Sequence, residues 1–162
     1  MIRSYFWIFL FVTLFFSGFG ALPLLTFSPY VTYSLLHAPL KSTLWRALLA
    51  GLIFDVFHST TPFGIVPLSS CVSALILFKK REFFYSDKFF SLPLFNFWFS
   101  FIFTISQALA VHIFRHSLVI SLKSLTSELL LMPIIDSIYG LILFYLPIAL
   151  INHIKNKRLL KA

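Results

Sequence analysis

Acid is what this sequence has least of. Five of its 162 residues are aspartate or glutamate, and all charged residues together make up 11% of the chain. A soluble globular domain carries about a quarter of its residues charged, so a water-facing surface is excluded for most of this one. Cysteine occurs once, at Cys71, which excludes an internal disulfide framework and any multi-cysteine metal site. The five glycines form no phosphate-binding loop, and no nucleophile–base pairing has motif support. What fills the space is apolar: 59% hydrophobic residues, 22 phenylalanines and a mean hydropathy of +0.94. The composition predicts an integral membrane protein built as one helical bundle with no separate soluble domain, and no motif points to a catalytic centre or a cofactor.

The formal net charge of +8 is not spread over one face as a nucleic-acid surface would be. It sits in short clusters between apolar runs, which is how topology determinants are distributed. The runs fall at 5–23, 28–40, 43–58, 62–78, 89–114 and 129–151. Ser28-Pro29 and Thr61-Pro62 each place a capping residue before a proline suited to the first helical position. The second run is short. From Pro29 to Leu40 it covers roughly 18 Å at about 1.5 Å per residue, against a hydrocarbon core of about 30 Å. Charge argues that it crosses nonetheless. With six crossings, one side receives Arg3, Lys41, Arg46, Lys79, Lys80, Arg81, Lys88, Lys155, Lys157, Arg158 and Lys161, and the other only Arg115 and Lys123. The basic excess belongs in the cytoplasm. The expected architecture is an all-α polytopic membrane protein, a six-transmembrane-helix bundle with both termini cytoplasmic and the second helix short, tilted or kinked near Pro39.

Arg3 and "SGFGA" also fit a cleavable signal, but the apolar stretch from Tyr5 outruns a signal core, and a retained first helix is the expectation. Between the fifth and sixth runs, leucines at 118, 122, 125 and 129 form one stripe, with Ser121, Lys123, Ser124 and Glu128 outside it. That pattern fits a helix lying in the outer membrane interface, or an extension of the sixth helix. The basic tail "HIKNKRLLKA" is suited to anionic lipid headgroups.

Few residues here can carry chemistry. His112 and His116 share a helix face at four-residue spacing, but two ligands leave a zinc site incomplete, and no metal is expected. The intramembrane carboxylates are more informative. Ala47, Gly51 and Asp55 share one face of the third helix, and Asp136 and Gly140 share one face of the sixth. In both, the aspartate lies one turn nearer the outside than its glycine, and Gln107 falls at a comparable level. Two readings stay open: structural glue between closely packed helices, or a polar cluster of His58, Gln107, Asp136 and Gly140 with Asp55 around an outer-half pocket. Asp55 is expected to face the bundle and bond to the turn Ser59–Thr61, to His58 or to Gln107.

The stretch "AGLIFDVFHSTTPFG", residues 50–64, resembles the Gly-x-x-x-Asp, short turn, Gly signature of the rod-shape-determining MreD family. "SPYV" is similar to that family's proline-initiated second helix, although Tyr30 stands where a polar residue is expected. Size, six runs and the basic tail agree with the family along the whole chain. On this resemblance, Pro29, Gly51, Asp55 and Gly64 are the family-motif residues. It implies a non-enzymatic inner-membrane component of the bacterial cell-elongation machinery. Such a component acts in peptidoglycan synthesis through a membrane-anchored MreC-like partner and other elongation proteins. It also implies a fold like the substrate-binding subunit of energy-coupling-factor transporters. That fold supplies the alternative function, a vitamin-type binding subunit. The bulky first run "YFWIFLFVTLFF" argues against it, because it lacks the small-residue face by which such subunits dock.

Overall fold

The computed structural model describes residues 7, 25–58, 62–84, 91–115 and 127–142, and over these the protein is an all-α bundle. Five helices follow in order: α1 (Ser28–His37), α2 (Leu40–His58), α3 (Ile65–Phe78), α4 (Ser91–Arg115) and α5 (Met132–Gly140). A single 3-10 turn, Arg81–Phe84, follows α3, and a π-helical turn, Ser127–Leu131, leads into α5. The first apolar run lies outside the described residues except for Trp7, as do the basic tail and most of the leucine-striped segment between the fifth and sixth runs.

Proline and glycine decide where the helices begin and end. α1 stops at His37 because Ala38, the residue before Pro39, is held extended at φ −122°, ψ 160°. Pro39 then starts α2, its carbonyl receiving Thr43 N at 3.1 Å. The second run is therefore short because Pro39 divides it, and α2 begins three residues earlier than expected. At the start of α1 the expected cap is displaced. Phe27 occupies the cap position and Ser28 lies within the helix, its hydroxyl buried without a partner. The reason is local: Ser28 N already bonds to Leu25 O at 2.9 Å, so the chain is turning before Ser28 is reached.

A second boundary is corrected at α3. The Thr61-Pro62 reading places the helix start at Pro62, but the helix begins at Ile65, with Gly64 as cap at φ +97°. A left-handed residue cannot continue an α-helix, so Pro62–Gly64 is a turn. Pro67 is tolerated in the first turn of α3 because its missing N–H would have no helical partner there.

Antiparallel pairs build the bundle. α2 packs on α3 at small residues: a Cβ placed on Gly51 would lie 2.6 Å from Pro67 Cα. Ser70 Oγ donates to Ala47 O at 3.0 Å and Cys71 Sγ to Leu44 O at 3.8 Å. α4 packs on α5, with Ser137 Oγ donating to Pro93 O at 2.9 Å. α1 bridges the two pairs. The Phe27 ring, fully buried at its start, makes edge contacts with Phe54 of α2 and with Phe99 and Phe103 of α4.

Among the described helices, the stretch Ser91–Phe114 is long and apolar enough to cross a membrane. Ile65–Phe78 and Leu129–Gly140 are apolar but shorter.

Candidate functional site

Two buried carboxylates organise the polar interior, each with its own partners. The first is Asp55, one turn after Gly51 on α2 and 1% exposed. Its Oδ2 accepts a hydrogen bond from Gly64 N at 2.6 Å. Its Oδ1 is buried without a partner. The left-handed turn at Gly64 is what aims that amide back at α2, so carboxylate and glycine act as one clasp across the α2–α3 corner. The bond goes to the end of the connecting turn, beyond the residues 59–61 expected to supply it; those residues and the His58 ring lie outside the described residues.

The second is Asp136, fully buried on α5. Oδ1 accepts from Leu25 N at 3.0 Å, and Oδ2 accepts from the Ser100 hydroxyl. The backbone carbonyl of Asp136 accepts Asn96 Nδ2 at 2.7 Å. Asn96 Oδ1 in turn lies 3.3 Å from Thr32 Oγ1, whose hydroxyl also reaches Ser28 O at 2.8 Å. A chain of polar groups thus links α1, α4 and α5 in an interior where an unmatched donor or acceptor would cost roughly 1–3 kcal/mol. Gly140 makes room for it: a Cβ there would lie 2.9 Å from Asn96 Nδ2 and 3.4 Å from Pro29 Cγ. Pro29 opens α1 and so sits against the same junction.

The expected outer-half cluster is therefore divided. Asp136 and Gly140 meet at the α1–α4–α5 junction, while Asp55, Gly51 and Gly64 meet at the α2–α3 corner. Gln107 joins neither. It is half-buried on α4, seven residues beyond Ser100, roughly 10 Å along the axis at about 1.5 Å per residue. His112 is exposed on the same helix, and no group of three or more metal-ligating side chains gathers among the described residues.

Asn96, Ser100 and Thr32 were not singled out by the sequence reading. A signal for two of them was present: Asn96, Ser100, Thr104 and Gln107 recur every three or four residues in a phenylalanine-rich helix, the spacing of one face. The Leu25 amide carried no such signal, because it is set by the turn into α1. Two shallow surface depressions flank these centres. One, of about 450 Å³, is lined by Pro62, Phe63, Gly64, Ile65, Leu68 and Phe114. The other, of about 390 Å³, lies between α4 and α5 at Phe97 and Ile138. Each carboxylate thus holds chain segments together, Asp136 through both of its oxygens and Asp55 through Oδ2.

No protein family, no curated protein and no solved structure matches the chain.

Proposed function

We propose that this chain is a polytopic protein of the bacterial inner membrane, a non-enzymatic scaffold of the cell-elongation machinery that contributes to rod shape and peptidoglycan synthesis by binding a membrane-anchored MreC-like partner. The observation that carries the reading is the use made of the motif at residues 51–64. Gly51 lets α3 come within backbone contact at Pro67, Asp55 clasps Gly64, and Gly64 takes the one left-handed conformation recorded among the described residues. All three motif residues fasten helices, which is what a scaffold asks of them. Membrane placement is supported by polarity: α4 exposes Leu94, Trp98, Ile105, Leu109 and Ile113 while burying Asn96 and Ser100. A helix in water turns its polar side chains outward, whereas α4 buries Asn96 and Ser100 beside Phe95, Phe99 and Phe103.

The vitamin-binding alternative is weaker on the same ground. Asp136, Ser100 and Asn96 are engaged with one another and with Leu25, and so are not displayed to a ligand.

Affinity purification of the tagged full chain from membranes tests the function. A single-span protein with a periplasmic coiled coil should co-purify; recovery of an ATPase module in its place would favour the transporter reading. Cysteine labelling in whole cells tests the topology. A cysteine at Lys80 should resist an impermeant reagent and one at Lys123 should react; the reverse pattern would overturn the proposed orientation.

A further inference from the structure

Cations gather where α1 ends, α2 begins and α3 ends. Lys41 and Arg46 stand on the first two turns of α2, and Lys79, Lys80 and Arg81 follow α3 directly. These ends are tied together. Arg81 Nη1 donates to Ala38 O at 3.5 Å, and its guanidinium lies 4.3 Å from the Phe78 ring centroid. Thr43 Oγ1 reaches Ser34 O at 3.2 Å. Arg81 is thereby occupied in closing the corner between α1 and α3.

Arg46 is different. It is half-buried, and among the described residues its guanidinium makes one hydrogen bond, from Nη1 to Ser34 Oγ at 2.8 Å, with no carboxylate partner. A guanidinium carries five N–H donors in a planar fork that matches a phosphate or carboxylate. Partly withdrawn from water and without a carboxylate partner among the described residues, it is a charge that an anion would stabilise. The surroundings indicate which anion. Lys41, Trp45 and Leu49 recur at four-residue spacing beside Arg46, with Trp45 59% and Leu49 49% exposed. Cations in the first two turns of α2 and an apolar strip running on along the helix fit a ligand with a charged head and a hydrocarbon tail. An acidic peptide or a free phosphate would leave the strip uncovered.

We infer that Arg46, with Lys41 at the rim, seats the phosphate of an anionic lipid headgroup whose acyl chain lies against Trp45 and Leu49. The inference rests on the membrane placement proposed above and not on the cell-elongation role. It goes beyond the general attraction of basic loops to anionic leaflets, because it assigns one guanidinium and requires its fork geometry.

The test uses the full chain, purified in a non-ionic detergent and titrated with phosphatidylglycerol, phosphatidylcholine or inorganic phosphate, and in parallel mixed with vesicles of each lipid. Phosphatidylglycerol should bind about tenfold more tightly than phosphatidylcholine, the scale of one charge-assisted bidentate contact. Arg46→Lys keeps the charge and loses the fork, so it should lose most of that preference, and Ser34→Ala, which frees the guanidinium, should lose part of it. Lys79→Gln should change it by no more than about twofold, as for a peripheral surface cation. Equal melting temperatures for the unsubstituted protein and Arg46→Lys in phosphatidylcholine show that the fold is intact. An unchanged preference in Arg46→Lys and Arg46→Gln overturns the inference. Inorganic phosphate binding as tightly as the lipid overturns the lipid assignment. Normal incorporation into vesicles without lipid preference overturns this site alone, whereas failure to associate with vesicles of any composition overturns the membrane placement itself.

Discussion

Gly51 and Asp55 sit one turn apart on α2, and each is exposed to a different kind of failure. At Gly51 the obstacle to a side chain is backbone: Pro67 Cα would lie 2.6 Å from the added Cβ and has no rotamer by which to yield. Gly51→Ala must therefore push α2 from α3 and strain the Ser70–Ala47 bond, at a cost of about 1–3 kcal/mol. Gly140→Ala meets a side-chain amide, Asn96 Nδ2 at 2.9 Å, and should cost about 1 kcal/mol, the worth of the one hydrogen bond it disturbs. Thermal melts in detergent check the order; a Gly140 variant the less stable of the two would show that the α2–α3 contact is looser than described. At Asp55 the obstacle is polar. Asp55→Asn keeps an acceptor for Gly64 N and removes a buried charge, so its melt should stay close to that of the unsubstituted protein. Asp55→Leu leaves that amide unmatched and should lose roughly 1–3 kcal/mol more. Equal losses in the two would mean that the clasp contributes nothing to stability. These residues were legible in the sequence because spacing alone puts 47, 51 and 55 on one face, and all three are buried. Asp136 was legible in the same way, but its partners were not, since Ser100 and Leu25 reach it only through the packing of three helices.

Elements were legible where the backbone chemistry is categorical and illegible where two signals compete. Pro39 cannot follow a helical residue comfortably, so the brevity of α1 could be read directly. At the start of α3 two punctuation marks lie two residues apart, Pro62 and Gly64. The sequence pattern favours the proline as a first helical residue, and the fold uses the glycine. Substitution separates the two. Pro62→Ala, in a turn before the helix, should alter the melting temperature little. Gly64→Val must hold a β-branched residue at φ +97°, while Gly64→Asn, which tolerates that region, should retain more stability than the valine. If Pro62→Ala proved the most damaging of the three, the helix would begin at the proline after all. The π-helical turn ahead of α5 had no counterpart in the sequence reading, because Ser127–Leu131 contains no proline or glycine to mark a change of register.

Across the described residues, polar side chains gather in the interior while many large apolar side chains lie on the outside. Asp55, Asp136, Asn96, Ser100, Thr32 and Thr43 are all buried, whereas leucine, isoleucine and tryptophan side chains are exposed on α2, α3, α4 and α5. A bundle in water would lose hydrophobic stabilisation by this arrangement, and a bundle in lipid would lose nothing, because its surroundings are as apolar as its surface. The two solvents thus demand opposite responses to the same mutation. Ile105 lies near the middle of α4, and its side chain is exposed. In water, Ile105→Lys would be neutral or would improve solubility. In a bilayer the ammonium sits near the midplane, where insertion scales assign about 2.5–3.5 kcal/mol, a loss of roughly a hundredfold in the insertion equilibrium. We expect Ile105→Lys to deplete the membrane-integrated fraction of the expressed chain, with Ile105→Leu as a neutral control. A similar replacement at exposed Lys79, which becomes Gln, should leave integration unchanged. Carbonate extraction of membranes from cells expressing each variant reads the integrated fraction. Full integration of Ile105→Lys, or a soluble and monomeric product, would mean that the exposed face of α4 does not meet lipid, and the membrane reading would fall with it.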